Sequence, residues 1–286
     1  FNLINSMATS GDGLISIFKK ARRSLLAVPV AAALVLGLTG SAQAHYVYEW
    51  TETWRSGDGT RCLQNRSEIS DGNNSQGYIK GDATSLHNSE LTPLGCTNAY
   101  EVTSGYLWEY MAVFKWNATA GEWYECMYTD GWYSNSSTVY KYQIYAYSED
   151  WGGWCGKGSY GLMNFSEMIY NGKHVFPDGV PGIWSGYHDG LGISEASTST
   201  PPPPEWVGKN GVVDPDKVPD TVKVLGSDRE VATDGDGNPI EVDPMPAAPS
   251  AATANTDSGV RSLTTDDDGL TTEEVAVDLM RPQGVR

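Results

Sequence analysis

Two glutamates, four histidines and four cysteines are the residues of this sequence whose types and placement bear on chemistry. Glu109 and Glu125 lie on neighbouring β-prone runs crowded with aromatic residues. A pair of carboxyl groups facing each other across a cleft, one raised in pKa as an acid and one ionised, suffices to hydrolyse a glycosidic bond. A small glycoside hydrolase using Glu109 and Glu125 is therefore the enzymatic reading, resting on an analogy of fold and composition; the plain alternative is two solvated outward-facing carboxylates. His45, His87, His174 and His188 offer general bases, but no G-x-S-x-G elbow accompanies them. The GKGSYG stretch at Gly156–Gly161 has the wrong spacing for that elbow and for a phosphate-binding loop.

Cys62, Cys96, Cys126 and Cys155 contain no C-x-x-C pair, so neither a zinc site nor a dithiol redox motif is expected. An even number of cysteines in a segment expected to be exported reads as two disulfides. The favoured pairing is Cys62 with Cys96 and Cys126 with Cys155, because each closes a moderate loop beside sequential strands. Asp234-Gly235-Asp236-Gly237-Asn238 looks superficially like a calcium loop, yet Pro239 and Met245 stand where glycine and glutamate are required. No metal and no cofactor are expected.

The remaining candidates are rings. All sixteen Tyr and nine of the ten Trp fall between His45 and Gly190, more aromatic surface than a small interior readily hides. Flat rings stack on sugar faces or fill hot spots of a protein partner. Rings on alternating strand positions belong to a core, so exposed ones are sought in turns: Trp132 and Tyr133 after Asp130-Gly131, Trp151 and Trp154 among glycines, Trp184 and Tyr187 near the domain end. As a set these six predict a binding surface for an extracellular glycan or a secreted protein. A third reading is a structural adaptor subunit of an extracellular assembly.

The elements that must position these groups are strands. From Tyr106 to Trp116 the even positions read Tyr, Trp, Tyr, Ala, Phe, Trp, a period of two that puts an aromatic row on one strand face. Two further β-like runs, 122–129 and 138–147, predict a three-strand antiparallel meander. An opening strand over 45–55 and a second over 61–69 precede it. The glycine-rich stretch 150–158 reads as a tight loop. Asn171-Gly172 between two β-prone runs predicts a type I′ hairpin. Short strands with frequent turn signals indicate an all-β fold, an antiparallel β-sandwich or flattened barrel stapled by two disulfides.

Around that domain, assigned to residues 45–197, composition changes sharply. Residues 1–44 carry a basic patch at Lys19–Arg23, an apolar stretch from Leu25 to Gly40 and Ala42-Gln43-Ala44, in the order of a cleaved signal peptide with upstream residues 1–6. The mature protein is then secreted and extracellular, with no membrane attachment after cleavage. Residues 198–286 open on four prolines, and from residue 205 they hold seventeen acids against seven bases with Trp206 as the lone aromatic. That composition predicts a Pro-rich linker and an acidic disordered tail. A net charge of −17 repels phosphate backbones, which excludes nucleic acid as a partner.

Overall fold

Strands whose side chains alternate between two faces build this protein, and the computed structural model describes residues 46–70, 77–88, 96–156, 158–175, 182–189, 201–208, 211–226, 230–242 and 259–282. In chain order they form β1 (Tyr46–Arg55), β2 (Arg61–Ser70), β3 (Tyr78–His87), β4 (Asn98–Ala99), β5 (Leu107–Asn117), β6 (Glu122–Thr129), β7 (Tyr133–Ser134) and β8 (Lys141–Tyr147). After the helix α1 (Ser148–Cys155) come β9 (Ser159–Tyr170), β10 (Lys173–Val175), β11 (Gly182–Asp189), β12 (Val222–Lys223), β13 (Glu241–Val242), β14 (Arg261–Thr265), β15 (Thr271–Ala276) and β16 (Leu279–Met280). The signal peptide expected over 1–44 lies outside the described residues.

The fold is an all-β sandwich. The first sheet runs β1-β2-β3-β8-β15-β14 with β4 beside β3, and the second runs β10-β9-β5-β6-β16 with β11 on β9 and β7 on β5. Between them lies one apolar cluster, to which the first sheet gives Leu63, Ile69, Ile79 and Ile144 and the second gives Leu107, Met111, Val113 and Leu162. The meander expected over 106–147 is only half formed. β5 and β6 make a hairpin, but β8 crosses to the first sheet, and β9 takes its place beside β5.

Both predicted disulfides are present, with Cα atoms 6.1 Å apart for Cys62–Cys96 and 5.7 Å apart for Cys126–Cys155. In the chain-entropy account each such loop contributes roughly 3–4 kcal/mol. Glu52 has a carboxylate oxygen within 4.8 Å of the Cys62 and Cys96 sulfurs, but sulfurs bonded to each other supply no thiolate for an ion. The Asn171-Gly172 hairpin forms as expected, with φ of 51° and 72° at its two turn residues, as a type I′ turn requires. The stretch 150–158 departs from expectation, since its first part belongs to α1 rather than to a loop. The Cys126–Cys155 bond fixes the helix end, and the Lys115 ammonium donates to the Cys155 carbonyl at 2.6 Å, satisfying a terminal group the helix leaves open.

The acidic tail is the largest correction. It is not disordered over 201–208, 211–226, 230–242 and 259–282, and the fold does not end at residue 197. β15 adds to β8 in parallel, β14 folds back on β15, and β16 pairs with β6 in the other sheet. Val275 and Val277 enter the core between the sheets. Glu273, almost fully buried, accepts the N–H groups of Ser136 and Ser137 at 3.0–3.1 Å and the Ser136 hydroxyl at 2.8 Å, and it pairs with Arg261. A segment too poor in rings to make its own core is ordered by docking on one already built. The Asp234 stretch is a turn, its carboxylate accepting the N–H groups of Asp236 and Asn238.

Glu273→Ala removes the buried carboxylate on which these donors converge. The variant should lose about 2–3 kcal/mol of stability, read as a lower urea midpoint. An unchanged midpoint would mean that the C-terminal hairpin does not hold the sheets.

Candidate functional site

Strand β5 is buried along both faces, which decides where every candidate group sits. Its odd positions Leu107, Met111 and Val113 point into the sandwich core. Its even positions Trp108, Tyr110, Ala112 and Phe114 point outward, where they form a second apolar cluster with Met163 and Phe165 of β9 and Trp123 of β6.

Glu109 therefore faces inward. It is completely buried, and Ser166 donates to one of its oxygens at 2.8 Å while the other oxygen has no hydrogen-bond partner. Burial pushes its carboxyl well above the usual carboxylate range, the Ser166 bond opposing this. Across the sheets nearby, the Asn164 side-chain amide donates to Asn65 Oδ1 and the Asn65 amide donates to the Asn164 backbone carbonyl, each at 2.9 Å. The Asn164 amide lies over Gly81, where a Cβ would meet Asn164 Oδ1 at 2.0 Å, so only glycine fits there.

Glu125 faces the other way. β5 and β6 pair Ala112 with Tyr128 and Val113 with Met127, but after a bulge they pair Phe114 with Glu125. One inserted residue exchanges the faces of everything beyond it. Tyr124 and Cys126 thus enter the core, while Glu125 joins the outer aromatic row beside Tyr110. The two glutamates stand on opposite sides of one sheet and cannot flank a single glycosidic bond, which removes the paired-carboxylate site.

The ring candidates also move. Trp132 and Tyr133 are buried at 3% and 1% exposure, the first against Tyr110 at 5.8 Å between ring centres and the second in the sandwich core. Trp154 is partly buried against that core and carries the Arg281 guanidinium 4.0 Å from its ring centre. The side chains of Trp151, Trp184 and Tyr187 lie outside the described residues. The large apolar side chains exposed among the described residues are Tyr106, Tyr147, Val260 and Leu263.

The outer face of β9-β5-β6 is covered by the chain's own C-terminal segment. Trp206, Val207, Val222 and Val242 pack on it, Trp206 meeting Phe114 edge-on at 6.4 Å. Leu225 donates its N–H to the Glu125 carbonyl at 2.9 Å, and Lys223 pairs with Glu122 at 2.6 Å. At the far end Trp116 and Trp123, opposite one another on the hairpin, stand edge to face at 5.3 Å. The Trp123 indole N–H donates to the Pro202 carbonyl at 2.8 Å. Trp123, Trp116 and the 201–207 strap make up the candidate site. None of these three features was singled out as functional in the sequence, although the Trp116 and Trp123 positions and the four prolines are plain in it.

Sequence reasoning also missed a dyad at the other end of the same face. Glu167, buried, is 2.7 Å from Nδ1 of His174, whose ring lies edge-on to Trp108 at 5.3 Å. Burial raises the Glu167 carboxyl. Nε2 of His174 is buried and bonded to no hydroxyl or thiol among the described residues, so among them the pair orients a histidine with no nucleophile against it. No family model, no curated protein and no solved structure matches this chain.

Glu125 gives a pH test of the buried outer row. Burial pushes its carboxyl from 4.5 up to about 8. Between those values the folded state keeps a proton that the unfolded chain has lost, so stability falls as pH rises through the window. The slope from this group is at most ~1.4 kcal/mol per pH unit. Glu125→Gln, always neutral, should gain on the parent steadily from pH 5 to pH 8 in urea melts. Parallel curves would place Glu125 in water.

Proposed function

We propose that this chain is a secreted, non-catalytic binding module that holds an extended segment of a protein partner on the outer aromatic face of its second sheet. The observation that carries the reading is the contact already made there: the Pro201–Pro204 stretch, leading into a turn closed by the Val207 N–H on the Pro204 carbonyl, is seated through the Trp123 indole on the Pro202 carbonyl. A ring surface rimmed by a few polar donors is the composition of a peptide-binding face.

A glycan platform needs flat ring faces open to water, and the exposed rings among the described residues, Tyr106 and Tyr147, are not part of the outer aromatic cluster. The indole bond to a backbone carbonyl is the contact that favours protein over sugar. Export is supported by the two disulfides and by the leader-like order of residues 1–44. Among the described residues no helix is long and apolar enough to cross a membrane. The structural-adaptor reading is contained in this one, since a subunit of an extracellular assembly is joined through such a face.

An array of extended peptides should retain the full-length protein, with retention about fivefold lower for Trp116→Ala. A panel of insoluble polysaccharides should not retain it. Retention on a polysaccharide that Trp116→Ala abolishes would turn the reading to glycan.

A further inference from the structure

We infer that the groove along Trp116 and Trp123 recognises P-x-x-P segments in the polyproline II conformation, and that residues 201–204 are its built-in competitor. This deepens the protein-binding reading above and rests on it.

The register of the strap carries the argument. Pro201 and Pro204 are buried, whereas Pro202 and Pro203 are exposed. Polyproline II turns once in about three residues, so positions i and i+3 share one face. A β-strand would instead alternate with a period of two. The strap lies in neither sheet and has no regular strand pairing of its own.

Proline has no backbone N–H, so the carbonyl oxygens are the polar handles of such a segment. An indole N–H donates and cannot accept, which makes Trp123 Nε1 on the Pro202 carbonyl a chemically matched contact at 2.8 Å. Pro201 and Pro204 are buried on the side the strap turns inward, and a preformed polyproline segment has little conformational freedom to lose.

Downstream contacts hold the C-terminal segment without the prolines. Trp206 lies on Phe114, Leu225 bonds the Glu125 carbonyl, Lys223 pairs with Glu122, and β12 pairs with β13. The strap can therefore leave the groove while the rest of the segment stays. Being tethered, it competes at an effective concentration in the millimolar range, so an outside ligand binds weakly until the strap is released. A second copy of this chain has its own strap engaged in the same way. The outside occupant is therefore a proline-rich segment of a different protein.

The test uses the full-length chain, a fluorescein-labelled peptide Thr-Pro-Pro-Pro-Pro-Glu matching residues 200–205, and a control with serine for every proline. The parent should bind the proline peptide weakly. Pro201→Ala/Pro204→Ala should bind it about tenfold more tightly, and adding Trp123→Phe, which keeps a ring but removes the donor, should reverse that gain. Should the double variant melt far below the parent, Pro204→Ala alone takes its place.

Equal binding of the serine control would overturn proline recognition while leaving an extended-segment site standing. No binding of either peptide by a stably folded double variant would overturn both. A 1:1 complex of the double variant with the parent in sedimentation would assign the groove to a second copy and overturn the separate partner.

Discussion

A sheet that is apolar on both faces has to be covered twice, and the second sheet of this protein is such a sheet. Burial of both the odd and the even positions of β5 leaves no water-facing side. The first sheet covers the odd face, where Leu107, Met111 and Val113 enter the sandwich core. The even face, with Trp108, Tyr110 and Phe114, is closed by the chain's own residues from 201 to 242. Each large ring removed from water contributes about 1.5–3 kcal/mol, which is what draws an otherwise weakly apolar segment into order.

The C-terminal part of the chain is thus an integral layer of the molecule. Its first portion lies on the outer aromatic row, and its last strands complete both sheets, β14 and β15 extending the first and β16 the second. Glu273 ties the late hairpin to the Ser136–Ser137 turn. The buried carboxyls divide in the same way. Glu109 and the Asn65–Asn164 pair sit between the sheets, while Glu125 and the Glu167–His174 pair sit on or beside the outer row.

Much of this architecture was legible in the residues. The period of two from Tyr106 to Trp116 marked β5, Asn171-Gly172 marked the β9–β10 hairpin, and loop lengths between cysteines favoured the observed disulfides. Parity was not legible, because the face on which Glu125 lands depends on a bulge opposite Val113 and Phe114, and no local composition announces it. Nor was the order of the tail. A sparse scatter of Trp206, Val222, Val242, Val275 and Val277 makes no core by itself and gains one only from a surface assembled by distant residues. The surplus of rings pointed to open binding rings at turns. Trp132 and Tyr133 are instead interior, the first packed on Tyr110 and the second in the core between the sheets.

The outer aromatic face of the second sheet is thus covered by the chain's own C-terminal segment. Hydroxyl-radical footprinting of Trp116 and Trp123, compared between the full chain and a chain ended after Thr200, tests this most directly. Both rings should be strongly protected in the full chain and oxidise several-fold faster without the C-terminal segment, with both disulfides still intact. Equal oxidation in the two chains would contradict the claim that the protein covers its own aromatic face.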